Sequence, residues 1–119
     1  MMRLLYAREE ASMLDPLPLL LRMVVDAEVR LASTPEECRL AAVLDVDRTV
    51  ICDFTKPDDS LAFLNSAMKR LESRVIVTLP SEMRVLRERI ESMGAEALVY
   101  ENDSEKITSV LKAVSTSAP

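Results

Sequence analysis

Apolar residues follow two rhythms in the second half of the chain. Residues 74–79, RVIVTL, are a near-continuous apolar and β-branched run, the pattern of a strand buried on both faces. Pro80 and Ser81 suit a helix start, and Met83, Leu86, Ile90 and Met93 then recur at 3,4,3 spacing, which predicts a helix with one apolar face. Gly94 supplies its stop, and EALVY at 96–100 reads as the next strand. Asn102 with Glu105 forms a capping-box analogue, and Ile107, Val110, Leu111 and Val114 share one face of a last helix. The polar tail, Ser115 to Pro119, is expected to be disordered. Upstream, TVICDF at 49–54 is a strand by the same criteria, and Pro57 with Asp58 or Asp59 opens a helix carrying Leu61, Leu64, Met68 and Leu71.

Three successive strand-helix units with apolar strands predict an α/β fold. The expected form is a single three-layer domain, a mostly parallel sheet of about four strands flanked by helices, flavodoxin- or Rossmann-like, with an N-terminal helix. That helix rests on Leu4, Ala7, Ala11 and Leu14 at i, i+3, i+7 and i+10, with Met1 and Leu5 beside them. The division is then a helical extension at 1–14, the α/β domain at 15–114 and the tail at 115–119. Residues 15–47 fit two readings. DPLPLLLRMVV suits a helix from Pro16 or a buried strand from Leu19 to Val25. Thr34, Pro35 and Glu37 favour a helix from 35 to about 44 that buries Cys38, Ala41 and Ala42. The competing reading pairs CRLAAVLDV with TVICDF in a hairpin turning at Asp47 and Arg48.

Composition narrows the chemistry. The 119 residues allow one domain of ordinary size. A single glycine excludes phosphate-cradling loops, and the absence of histidine excludes His-based catalysis and nearly every zinc site. A net charge of −5 disfavours nucleic acid. Arg84, Arg87 and Arg89 do cluster, but interleaved with Glu82, Glu88 and Glu91 at helical spacing, as on a solvated face. Cys38 and Cys52, with no C-x-x-C, predict a reduced cytoplasmic setting, and their pairing stays open. The longest apolar run, Leu17 to Val25, is interrupted by Arg22 and too short for a bilayer. Acidic residues ahead of it, Glu9, Glu10 and Asp15, are in the wrong order for a signal peptide.

In an open parallel sheet ligands bind beyond the carboxyl ends of the strands. Those ends carry Asp53 and Thr55, Thr78 and Ser81, then Asn102 and Asp103. Pro57 and Pro80 remove donors there, and the acids add negative charge, so the arrangement repels a phosphate while capping the helices well.

The string VLDVDRTVICD, with Asp45, Asp47, Thr49 and Asp53, resembles the first motif of haloacid dehalogenase-type phosphatases, an apolar strand followed by D-x-D-x-T. The resemblance implies Asp45 as nucleophile, Asp47 as general acid and base, a bridging Mg²⁺, and Thr78 as the hydroxyl that holds the phosphate. Lys106 and the Glu101 to Asp103 region stand in for its later lysine and acidic pair, and Arg48 replaces its usual glycine. In the preferred fold Asp47 precedes the strand and Asp53 closes it, about 20 Å apart at roughly 3.3 Å per residue, so no metal is expected there. The leading expectation is a non-enzymatic cytoplasmic protein without cofactor. It would act through protein-protein interaction or self-association, as a homodimer built on the N-terminal apolar stripe. The Mg²⁺-dependent phosphotransfer enzyme is the alternative.

Overall fold

In a computed structural model, residues 2–8, 16–32, 36, 37, 40, 49–53 and 74–116 are described. Strands β1 (Met2–Ala7), β2 (Ala27–Ala32), β3 (Thr49–Asp53), β4 (Val75–Pro80) and β5 (Glu96–Tyr100) form one parallel sheet in the order β2-β1-β3-β4-β5. Helix α1 spans Leu17–Val24; a 3-10 segment, Ser81–Leu86, leads into α2 (Arg87–Ser92); and α3 is Asp103–Thr116. None of these is long and apolar enough to cross a membrane.

Alternation along the strands divides the core into two layers. Leu5, Ala7, Val50, Cys52, Val75, Val77 and Leu79 face Ile90 of α2, with Met83, Leu86 and Met93 packed alongside. Leu4, Tyr6, Ile51 and Ile76 face Leu17 and Leu21 of α1 and Val110 and Val114 of α3. The expected three-layer α/β domain is therefore present, with five strands rather than about four. Gly94 ends α2 as expected, at φ 96°. Its N–H donates to the Glu91 carbonyl and that of Ala95 to the Ile90 carbonyl, a Schellman pair that needs a residue without Cβ at this φ.

The first element is corrected. Residues 2–7 are a strand between β2 and β3, not a helix. Leu4, Leu5, Tyr6 and Ala7 are all at most 1% exposed; one face of a helix does not bury four consecutive residues, whereas a central strand buries both faces. Good helix formers here yield to the sheet. Leu4 and Leu5 thus lie in opposite layers of the core, and the apolar stripe proposed for dimerisation does not exist over these residues. β2 was not foreseen; as an edge strand it buries Ala27, Val29 and Ala32 while Glu28 and Arg30 face solvent.

Elsewhere the alternatives separate. DPLPLLLRMVV is helical from Leu17, with Pro16 at the N-cap and no strand at 19–25. β3 has β1 on one side and β4 on the other, which leaves no edge for a hairpin with CRLAAVLDV. Glu36, Glu37 and Leu40 are helical, while Cys38, Ala41, Ala42 and the helix expected after Pro57 lie outside the described residues. α3 runs through Ser115 and Thr116, so the first two residues of the expected tail are helical.

Candidate functional site

Three features of the chain converge on one carboxylate. Strand register places Asp53, the last residue of β3, opposite Thr78 of β4. On the other side β1 pairs Ala7 with Cys52, so Arg8 falls one step further, beside Asp53. The Arg8 N–H extends the β1–β2 ladder by donating to the Ala32 carbonyl at 3.0 Å. The period of two then puts Tyr6, Asp53 and Thr78 on the layer that α1 and α3 cover.

From α3 comes Lys106. It stands four and eight residues before Val110 and Val114, both fully buried, and so occupies the same stripe. Helical side chains lean toward the helix N-terminus, which carries the ammonium to the C-terminal edge of the sheet. Asn102 secures that first turn: its Oδ1 accepts the Glu105 N–H at 2.9 Å.

The resulting cluster is dense. Asp53 Oδ2 accepts hydrogen bonds from Tyr6 OH at 2.9 Å and Lys106 Nζ at 3.2 Å, and Oδ1 accepts one from Thr78 Oγ1 at 2.9 Å. Arg8 Nε lies 3.6 Å from Oδ2. Asp53, Thr78 and Lys106 are buried. Lys106 Nζ also sits 5.5 Å from the centre of the Tyr100 ring, a cation–π distance. Burial, helped by the charges of Asp53 and Asp103, pushes the Tyr100 phenol up to about 12.

Chemically this is a held anion. A carboxylate offers about four lone-pair sites; here three hydrogen bonds and a guanidinium surround it, and its side chain has no exposed surface. Among the described residues no three of His, Cys, Asp and Glu gather as a metal site. Of the described residues, Arg8 and Lys106 are the cations that approach Asp53, each unit charge pair being worth about 4 kcal/mol at roughly 4 Å and an effective dielectric near 20.

Of the residues singled out from the sequence, Asp53 and Thr78 come together. Ser81 opens the 3-10 segment, Asn102 is a helix cap, and Asp103 is exposed in the first turn of α3. Asp45, Asp47 and Thr55 lie outside the described residues. Tyr6 and Arg8 are absent from that set because the spacing of Leu4, Ala7, Ala11 and Leu14 predicts a helix where β1 lies. Lys106 entered only through the phosphatase resemblance, although its place on the Val110–Val114 stripe was legible.

No protein-family model matches the chain, and no curated protein does. Solved structures do match. The REC domain of AraT, a response regulator from Geobacillus stearothermophilus, is 21% identical with a TM-score of 0.71, covering 97% of this chain and 93% of its own. A two-component response regulator from Clostridium difficile is 11% identical with a TM-score of 0.72, covering 98% of both chains. The receiver domain of a sensor histidine kinase from Pseudomonas aeruginosa, which has a magnesium ion coordinated in its active-site cleft, is 14% identical with a TM-score of 0.69, also covering 98% of both. At these identities the likeness is one of fold: the chain adopts the flavodoxin-like fold of response-regulator receiver domains.

Proposed function

We propose that the chain is a non-enzymatic, receiver-like signalling module of the cytoplasm that works by docking on a protein partner or on a second copy of itself. The observation that carries this reading is the Asp53, Thr78 and Lys106 cluster at the C-terminal edge of a sheet ordered 2-1-3-4-5. Its carboxylate is enclosed by the chain's own donors, an arrangement that supports holding a shape more than turning over a substrate. Apolar side chains exposed on α1, Leu19, Met23 and Val24, and Val85 beyond β4 offer contact area, and the net charge of −5 favours a protein over nucleic acid as partner.

The test is photo-crosslinking in cells, with a photoreactive residue in place of Val85 or Met23 in the full chain. The expected result is a discrete adduct from at least one position, with the bound protein identified by mass spectrometry. Absence of adducts from both would count against docking. A Mg²⁺-dependent hydrolysis of phosphomonoesters that disappears in Asp45→Asn would replace this reading with the phosphotransfer enzyme.

A further inference from the structure

We propose that Arg22 guards the open edge of the sheet, holding the outer side of β2 against the addition of a further strand. β2 stands first in the order β2-β1-β3-β4-β5, and among the described residues no strand pairs with its far side. The ladder fixes which of its backbone groups face outward. In a strand the N–H and C=O of one residue point to the same side, and successive residues alternate. The Ala32 carbonyl accepts from Arg8 of the β1 segment, so Ala32, Arg30 and Glu28 turn their backbone groups toward β1. Ala27, Val29 and Leu31 turn theirs away. The Arg22 guanidinium reaches from α1 to the middle of these three, donating from Nη2 to the Val29 carbonyl at 3.2 Å.

An edge of this kind needs such a device. β2 is six residues long, an ordinary strand length, and its sequence AEVRLA contains no proline. Its outward row of N–H and C=O groups is a template for another chain. Leu31, on that row, is 46% exposed, so a strand that paired there would also gain apolar contact. To do so it would have to donate to the Val29 carbonyl from the position that the guanidinium holds, and displace a charged donor by a neutral one. The assignment concerns the edge of β2 rather than the side chains of α1 and Val85 offered for docking, and it stands whether or not a partner binds those.

The test compares the full chain with its folded variants by light scattering at equal concentration. Arg22→Gln keeps the surface of α1 polar but is uncharged and too short to reach Val29. Its mass should rise about twofold or more above that of the parent, as two edges pair. Adding Leu31→Lys, which places a charge on the same edge, should return Arg22→Gln to the parent mass. No rise in Arg22→Gln overturns the proposal, because the edge then needs no guard. A rise that Leu31→Lys fails to reverse also overturns it, because the association then lies elsewhere. If Arg22→Gln does not fold, amide hydrogen exchange in the unaltered chain decides. The outward Leu31 N–H should exchange about tenfold or more faster than the Arg30 N–H, which points into the ladder. Equal protection of the two would mean that the edge is already covered, and the proposal falls.

Discussion

Asp53 is a buried carboxylate approached by Arg8 and Lys106, and its partners respond unequally to its loss. Replacing Lys106 by Met removes one hydrogen bond but leaves Arg8, Tyr6 and Thr78 around the anion; a charged hydrogen bond in such a place is worth about 1.5–3 kcal/mol. Asp53→Asn instead leaves Lys106, buried on α3, without its counter-charge, and breaking a buried pair from that side costs about 3–5 kcal/mol. Urea unfolding should therefore rank Asp53→Asn below Lys106→Met. The double variant should be more stable than the sum of the two losses implies, by about 1–3 kcal/mol of coupling. Strict additivity would mean that the two side chains do not share the interaction. Half of this cluster was legible in the chain. Asp53 and Thr78 close apolar runs, and the carboxyl ends of parallel strands are where chemistry gathers. Lys106 carried a quieter signal, a cation in the first turn of a helix, where the dipole disfavours it, on a stripe with two valines. Arg8 and Tyr6 carry none, because the helical spacing of Leu4, Ala7, Ala11 and Leu14 masks the strand they sit on or follow.

At the scale of elements, termini and clasps decide what can change. Gly94 at φ 96° closes α2 into β5; a Cβ there costs about 1–2 kcal/mol, so Gly94→Ala should lower the melting temperature by roughly 4–8 °C for a domain near this size. An unchanged melting temperature would mean that the turn tolerates another conformation. At the opposite edge of the sheet Arg74, just before β4, pairs through Nε and a second nitrogen with both carboxylate oxygens of Glu96 on β5, and donates to the Ala113 carbonyl of α3 at 2.9 Å. The hydrogen bond from Arg74 holds the Glu96 carboxyl below its usual value of 4.5, against an opposing push from burial. A depressed acid stabilises the fold while ionised; its contribution is full above about pH 4.5 and fades as pH falls through the lower folded value. Both groups are partly exposed, so the pair is worth about 1 kcal/mol or less. Glu96→Gln should thus be slightly less stable than the parent at pH 7 and converge with it in acid. A gap that widens on acidification would contradict the pairing. Strands such as RVIVTL were plain in the sequence because β-branched runs bounded by Pro and charge have few other uses. β2, with alternate charges at the edge of the sheet, has the weaker signature of a half-solvated strand.

For the whole molecule the decisive fact is the position of β1. Leu4, Ala7, Ala11 and Leu14 match helical spacing, yet spacing is ambiguous wherever apolar residues are also consecutive. Long-range pairing with β2 and β3, invisible in a local window, selects the strand. A helical extension would be removable; a strand with a neighbour on each side is not. Deleting residues 1–14 takes away Leu4, Leu5 and Tyr6, each at most 1% exposed, at about 1.5–3 kcal/mol for each large side chain buried. It also leaves β2 and β3 with facing edges no longer joined and removes Arg8 and Tyr6 from Asp53. The loss of roughly 5–9 kcal/mol from the three side chains alone is comparable to the 5–15 kcal/mol that holds a domain together. The truncated chain should accordingly show no cooperative melting by circular dichroism, and light scattering should find it aggregated, since two unpaired strand edges invite association. A truncated protein that melts cooperatively as a monomer within a few degrees of the full chain would mean that β1 is dispensable, and the central position of that strand would have to be abandoned.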